Sequence, residues 1–429
     1  MLKHVEYNKQ VLVYGSYDVL VVGGGPSGLC AAVAAAQCGA KVALIERYGT
    51  LGGNLTIGHV GPIMGRVAPG TLGAYVNHMA GTKLPINRVA PDLERLKTGL
   101  TEWVMGEGVN VLLQTAIADV IMEGQRIQGV IASTPTGLRA FLATAVVDAT
   151  GDGLVAALSD APFEMGREED GLLQPVSLMF SIGGLEDNKI VPEGSSTFDS
   201  LTRSDPFKEM VVEASRTGLL PRPVSIVRLY RTYRPNECYV NATHKNFVDG
   251  TDLKQIAQAE RELRAQIPWI IEYLRTNVHG CENAYLIHSS DTLGVRETRR
   301  VLGEYVLNEQ DLQAGRKFED VVVHNANFFF DVHGMKSGGQ DSVEQVKCYD
   351  IPYGCLVPQK VEGLVLVGRC ISGTHLAHSS YRVMNIVMAI GQAGGVAAAL
   401  SVKENVLPRQ LSCKAVQERL TEMGVDLFS

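Results

Sequence analysis

Gly23, Gly25 and Gly28 stand at the spacing G-x-G-x-x-G in the segment GGGPSG, between a valine-rich run, YDVLVV, and an alanine-rich stretch from Ser27 to Cys38. Each glycine has a mechanical use. Gly23 permits a sharp turn, Gly25 lets a pyrophosphate approach the backbone, and Gly28 allows close packing of helix on strand. A helix opening at Pro26 and Ser27 presents free N–H groups and the positive end of its dipole to phosphate. Glu46 closes the next apolar run, KVALIE, 18 positions after Gly28. A carboxylate there accepts hydrogen bonds from ribose hydroxyls and disfavours a 2'-phosphate. Recognition of a dinucleotide is therefore the first chemistry that the residues suggest.

Further residues extend that site. Gly52 and Gly53, in RYGTLGGN, supply a second flexible backbone contact; Thr150, Gly151 and Asp152 end the run VVDATGDG, and Gly368 and Arg369 end another in VEGLVLVGRCISGT. Groups fit to meet a second reactant lie elsewhere. Arg296, Arg299 and Arg300 occur in TLGVRETRRVLGEYVL, where one guanidinium can hold a carboxylate bidentately and the alternative is an ion pair with Glu297 or Glu304. His333, in FFFDVHG, follows an apolar wall and Asp331, an environment that suits a general base and equally a satisfied core histidine. His375 and His378, in ISGTHLAHSSYR, are expected in a loop before the last helix, where either can take a proton from an alcohol. His59, in LTIGHVGPIMG, is a weaker candidate with a loop-capping alternative.

The elements that must position these groups read as strand, tight turn, helix and strand from Tyr17, then helix and strand over Thr101 to Ala118, then strands alternating about turns. This predicts an α/β fold: a Rossmann-like domain with a parallel central sheet and an inserted antiparallel sheet, joined to a mixed α+β substrate domain. The first domain takes residues 17–160 together with 350–429, and the second takes 163–345, with the loop 61–90 contributing. Within the second, a Pro/Gly/Ser-rich loop is expected near Pro192 to Ser204 and a long polar helix from Asp252 to Asn277. The apolar run from Val383 to Val402 has the length of a membrane span, but Asn385 and Gln392 interrupt it, and it reads as a buried core helix.

The chain has 429 residues, 45% of them hydrophobic and 20% charged, enough for two packed domains at roughly 150 residues each. Its net charge of -7 and the lack of a basic, aromatic-interleaved stretch argue against a nucleic-acid partner. The eight cysteines are scattered without a C-x-x-C pair, which removes a thioredoxin-like motif and a zinc site; no metal is expected. With no signal-peptide pattern at the start, the expectation is a cytoplasmic protein with reduced thiols, no membrane span, and homo-oligomerisation left open.

In the segments GGN, ATGDG, GVRETRR and GRC, which occur in this order, the chain resembles the FAD_oxidored family of glutathione-reductase-like flavoproteins, from Tyr17 to about Leu420. The resemblance implies non-covalent FAD. Gly23, Gly25, Pro26, Ser27 and Gly28 would hold the pyrophosphate, Glu46 and Arg47 the adenosine ribose, and Gly52, Gly53 and Asn54 would continue along the cofactor. Ala116 would lie over the adenine through its backbone. Thr150 and Gly151 would close the site, and Gly368 and Arg369 would meet the pyrophosphate. A helix opening near Arg382 to Ile386 would aim its N-terminus at the flavin, where reduction places negative charge. Nothing in the spacing demands covalent attachment through a histidine or Cys370. The implied enzyme is an FAD-dependent dehydrogenase or reductase that moves hydride between flavin N5 and a small polar substrate bearing a hydroxyl or carboxylate. Alternatives are an unsaturated-acid reductase fed by an external donor, or a flavin-binding electron-transfer subunit of a larger assembly. No second G-x-G-x-x-G follows Gly28, so the other half-reaction falls to a diffusing acceptor or donor, oxygen or a partner protein.

Overall fold

The computed structural model describes residues 5–81, 90–190, 201–202, 204–336, 340–342 and 344–429. Most of the loop expected near Pro192 to Ser204, and residues 82–89 of the 61–90 loop, lie outside them.

Strands β1 (Leu12–Val22), β2 (Val42–Ile45) and β3 (Asn110–Leu112) pair in parallel, with Val19 to Val22 opposite Val42 to Ile45. Helices cover both faces of such a sheet, so its strands are apolar throughout, and Val19 to Val22 are all buried. Strands β4 (Ala116–Glu123), β5 (Arg126–Thr134) and β6 (Gly137–Asp148) form an antiparallel meander. The meander is continuous with the parallel sheet, because β6 pairs with β1 along its whole length. On its other edge β6 is shared: residues up to Leu142 pair with β5, and Val146 to Asp148 pair in parallel with the strand Leu364–Leu366. The C-terminal part of the chain thus joins the sheet beside its first strand.

Helix α1 (Pro26–Gln37) is buried from Ser27 to Ala35, and nearly every side chain along it is small. The helix Met384–Lys403 lies against it. A Cβ on Gly391 would fall 2.0 Å from the Ser27 carbonyl oxygen, and one on Gly395 would fall 2.1 Å from that of Ala31. Both pairs repeat at four residues, so the two backbones touch along one face of each helix. Met384–Lys403 is apolar and long enough to cross a membrane, yet 94% of its apolar window is buried in the fold, as expected of a core helix.

A second core runs in sequence from Val176 to Leu293. Its antiparallel sheet has the order Tyr285–Ser289, Phe180–Gly183, Cys238–Asn241, Arg228–Arg231. Phe180, Ile182, Leu229, Cys238 and Val240 point into this core, with Leu263, Ile267 and Ile270 of the helix Leu253–Asn277. Asp252 caps that helix by accepting from the Lys254 and Gln255 N–H groups, which confirms the expected Asp252 to Asn277 element. Alternation turns Tyr230 and Tyr239 to the opposite face, where they pack with Ala90, Leu93 and Val60. From Val301 to Phe330 the buried side chains pack in the first core.

The Gly395 contact gives a test of the helix pair. Gly395→Ala is expected to cost about 1–3 kcal/mol by overpacking, read as a lowered melting temperature. Gly106→Ala, where an added Cβ meets nothing within 4 Å, is the control and should be neutral or slightly stabilising.

Candidate active site

The turn between β1 and α1 separates the three glycines by role. Gly23 has φ +105, and a Cβ there would sit 2.4 Å from the Ala149 carbonyl oxygen, while one on Gly28 would sit 1.8 Å from the Gly23 oxygen. Those two are required by the fold. Gly25 is different: an added Cβ meets nothing within 4 Å, on the side where α1 opens with Pro26 at its first turn. Beside this open cradle, Ser27 Oγ is buried with no hydrogen-bond partner among the described residues. A Cβ on Gly368 would lie 3.4 Å from the Ser27 side chain, and Arg369 follows it; one terminal guanidinium nitrogen of Arg369 is likewise buried without a partner among the described residues. Open backbone, a helix N-terminus, an unpaired hydroxyl and an unpaired guanidinium N–H fit the pyrophosphate of a dinucleotide.

Glu46 is buried at the end of β2. Its carboxylate accepts from the Gly24 N–H at 2.6 Å and the Tyr48 N–H at 2.8 Å. It therefore splints the glycine turn, a task the sequence reading missed, and each oxygen keeps a lone pair for a ribose hydroxyl. Burial pushes its pKa up against these N–H bonds. Arg47 is exposed and stacks on Tyr48 at 4.7 Å, and Ala116 is exposed beside Thr115, whose N–H donates to the Glu46 carbonyl. The GGN loop folds back on the turn: Gly52 N–H donates to Gly24 O at 2.8 Å, and a Cβ on Gly53 would be 3.0 Å from Gly25 Cα. Asn54 follows it, and its carbonyl accepts from Val60 N–H.

At the end of β6, Asp148 is wholly buried and takes the Thr150 hydroxyl and the N–H groups of Thr150 and Ala156. Thr150 Oγ1 in turn accepts from Leu154 N–H, so its side chain is occupied by local structure. A Cβ on Gly151 would lie 3.2 Å from Arg369, whose other terminal nitrogen donates to Asp152 at 2.7 Å. Thr298 donates to the same Asp152 oxygen, and Arg299 to its carbonyl, which ties the 296–300 segment to the cofactor end of the site. Cys370 is buried, donates towards Val367 O, and burial pushes its pKa up, so its thiol is not disposed for covalent attachment.

Of the residues expected to face substrate, His375 and His333 join one connected network through Glu297, Gln174, Arg382 and Asp331. His375 and His378 lie in a short helix, His375–Tyr381, and not in a loop as expected; Thr374 caps it. His375 Nδ1 is 3.0 Å from Glu297, and its Nε2 is buried with no partner among the described residues. Glu297 also pairs with Arg300 and accepts from Gln174 N–H at 3.1 Å. Gln174 Oε1 accepts from Arg382, and Arg382 donates to Asp331 at 3.0 Å; Asp331 is 3.5 Å from His333 Nε2. Arg300 is saturated by Glu297, Gly373 O and Gly166 O, which makes it structural. Arg296 makes one hydrogen bond among the described residues, to Pro175 O, and its pKa is pushed down to about 10 by burial and then by Arg382. His378 is buried against Tyr381 and held neutral by burial and by Arg382. Arg382 belongs to this network: it ends the short helix, while Val383 caps the long one, and Ile386 is buried with its side chain in the core. Gln174 and His244, which sits on Asn246 Oδ1 at 2.6 Å, went unread because no spacing marks them.

Fold and site define a dinucleotide-binding protein with a second hydrophobic core. The family described as FAD dependent oxidoreductase matches residues 18–420, and the chain belongs to it; it is an enzyme that uses FAD. The chain is similar to the thiamine thiazole synthase of Aeropyrum pernix, 34% identical over 36% of this chain and 65% of that protein. It is also similar to the dihydrolipoyl dehydrogenase of Trypanosoma brucei brucei, 56% identical over 10% of this chain and 9% of that protein. It thus spans less than two thirds of either relative. The structure of the flavin-dependent brominase Bmp2 superposes with a TM-score of 0.50 at 11% identity, covering 95% of this chain and 83% of that one, a likeness of fold alone.

Two outcomes follow from this geometry. Gly25→Ala should fold normally and purify with little FAD, measured as flavin absorbance per protein, whereas Gly23→Ala and Gly28→Ala should lower the melting temperature of the apoprotein itself. A Gly25→Ala protein that retains full flavin would overturn the cradle. Separately, burial pushes His59, His244 and His333 down to about 4. Below pH ~6.5 the unfolded chain therefore binds protons that the folded one does not, and the melting temperature should fall as pH drops from ~6.5 towards 4.

Proposed function

We propose that this enzyme oxidises or reduces a small carboxylate-bearing molecule by hydride transfer. The observation that carries the reading is the charge balance at Arg296 and Arg382. Both guanidinium groups are largely buried, Arg382 lowers the pKa of Arg296, and Asp331 is the acid they share. Burial works against the Asp331 carboxylate, and His333, Arg382 and Arg296 around it more than offset that cost. At neutral pH His333 is uncharged, so the local excess of charge is positive and supplied by arginines. A substrate carboxylate satisfies it, with the planar guanidinium fork giving orientation as well as energy.

Bound FAD supplies the two-electron hydride acceptor or donor. His375 supplies the proton step. Glu297 at Nδ1 fixes the ring and directs the lone pair to Nε2, where a substrate hydroxyl proton is taken in oxidation or returned in reduction. Arg300 pairs with Glu297 and holds it in place. His333 supports Asp331, and through it Arg382. Reduction of the corresponding oxo acid uses the same residues in reverse; an unsaturated-acid reductase fed by an external donor would instead show reoxidation of dye-reduced flavin on addition of an enoate under nitrogen.

The protein should be yellow, and its flavin should bleach under nitrogen with a substrate found by screening small hydroxy acids. His375→Asn should keep its flavin and slow bleaching by about 10²–10⁴-fold, while Arg296→Met should act mainly on substrate affinity. If His375→Asn bleaches at the wild-type rate, the assignment of the base fails.

A further inference from the structure

Gln174 joins the two halves of the network just described. It is buried, with only 1% of its surface exposed. Its N–H donates to Glu297 at 3.1 Å, and its Oε1 accepts from Arg382 at 3.3 Å. The next carbonyl, that of Pro175, accepts from Arg296 at 2.7 Å. These contacts follow from one antiparallel register, in which residues 174–177 run beside 294–297 and Ser177 exchanges both backbone bonds with Gly294. Val176 makes the same exchange with Lys245 on the opposite side. Two successive residues, clamped from both sides, thus touch both arginines and the acid that orients His375.

Arg382 also decides which end of the Gln174 amide is free. A guanidinium has only N–H groups to give, so it takes the amide oxygen and leaves the nitrogen. That Nε2 is buried with no hydrogen-bond partner among the described residues, and so are Arg382 Nε and His375 Nε2. Buried polar groups in folded proteins are nearly all satisfied. Three unfilled ones, on side chains linked by hydrogen bonds directly or through Glu297, mark where the polar atoms of a ligand belong. Those on Gln174 and Arg382 are donors, which a group made only of acceptors completes. A carboxylate is such a group, whereas a carboxamide sets its own N–H groups against one of these donors.

We propose that Gln174 is a substrate-contacting, specificity-determining residue whose Nε2 donates to the substrate carboxylate beside Arg382, so that the site takes an acid and refuses the carboxamide of the same shape. This rests on the carboxylate reading above. The arginines supply attraction for any anion, and Gln174 supplies the repulsive element, an N–H placed where an amide ligand would bring another. Because its own N–H group is spent on Glu297, the same residue sets the spacing between the bound carboxylate and the histidine that handles the proton.

The test is calorimetric titration of the holoenzyme with two matched pairs of probes, lactate with lactamide and mandelate with mandelamide. In the wild type the acid of at least one pair should bind at least about tenfold more tightly than its amide. Gln174→Glu keeps an acceptor for Arg382 and exchanges the amide donor for a second acceptor. It should weaken that acid at least about tenfold and bind the carboxamide at least about threefold more tightly than the wild type does. A residue that only supports Arg382 cannot produce this gain. Gln174→Met, which leaves Arg382 its bonds to Asp331, should keep its FAD, weaken the acid about tenfold and hold the amide within about twofold. No gain of amide affinity in a folded Gln174→Glu protein overturns the role of Gln174 and leaves the carboxylate reading standing. So does Gln174→Met that binds the acid as the wild type does, or that folds without its flavin. If Arg296→Met binds both acids as the wild type does, or the wild type prefers neither acid to its amide, the carboxylate reading itself is overturned, and this inference with it.

Discussion

The contact between α1 and the helix Met384–Lys403 is the constraint on which the site depends. Two backbones that touch at Ser27 with Gly391 and Ala31 with Gly395 leave no freedom in where the C-terminal helix can lie. Because that helix is held against the first helix of the chain, the segment before it, from Gly368 to Val383, must run past the glycine turn. The cost is that α1 has almost no large side chain to bury. The enclosing sheet and the long apolar helix supply that burial, which explains why the first core gathers residues from both ends of the sequence. One close-packed helix pair thus assembles a cofactor cradle from residues more than 300 positions apart.

Charge is distributed in the site by division of labour among side chains of the same type. Arg300 is consumed by Glu297 and two carbonyls, Arg299 is held by the Asp152 carbonyl over the Phe163 ring, and Arg369 is anchored to Asp152 through one terminal nitrogen while the other stays open to the cofactor. Each is fixed well enough to serve as framework. Arg296 is held more sparingly, by a single hydrogen bond to the Pro175 carbonyl and no ion pair among the described residues, and its neighbour Arg382 is paired with Asp331. The distinction decides what binds. A saturated guanidinium positions its neighbours, whereas an undersatisfied one in a partly dry site favours an anion by more than a surface group would.

How much of this was legible in the sequence depended on whether a residue's task is local. The glycine turn, β2 ending at Glu46 and the capped helix Leu253–Asn277 were readable, because spacing and capping act over a few residues. The burial of Met384–Lys403 was readable from Asn385 and Gln392. The placement of His375 in a helix was not, since the Thr374 cap and a seven-residue helix leave little periodicity. Nor was the continuity of the meander with the parallel sheet, which is a matter of which edge of β6 is free. The sorting of Arg296, Arg299 and Arg300 was least legible of all. Adjacent arginines look alike in sequence, and only the carbonyls of Pro175, Asp152, Gly166 and Gly373, contributed by distant segments, tell them apart.

The titration behaviour of the site completes the physical picture. Burial holds His59, His244 and His333 uncharged at neutral pH, so none of them adds to the positive field or is lost from it as pH varies around 7. That field is carried by arginines alone, and these remain protonated even where burial and like charge lower them. In the proposed reaction, binding of an anion is thereby separated from the supply of neutral imidazoles. Had lysines taken the place of Arg296 and Arg382, desolvation would bring their titration towards neutrality, and substrate binding and proton transfer would compete over the same pH range.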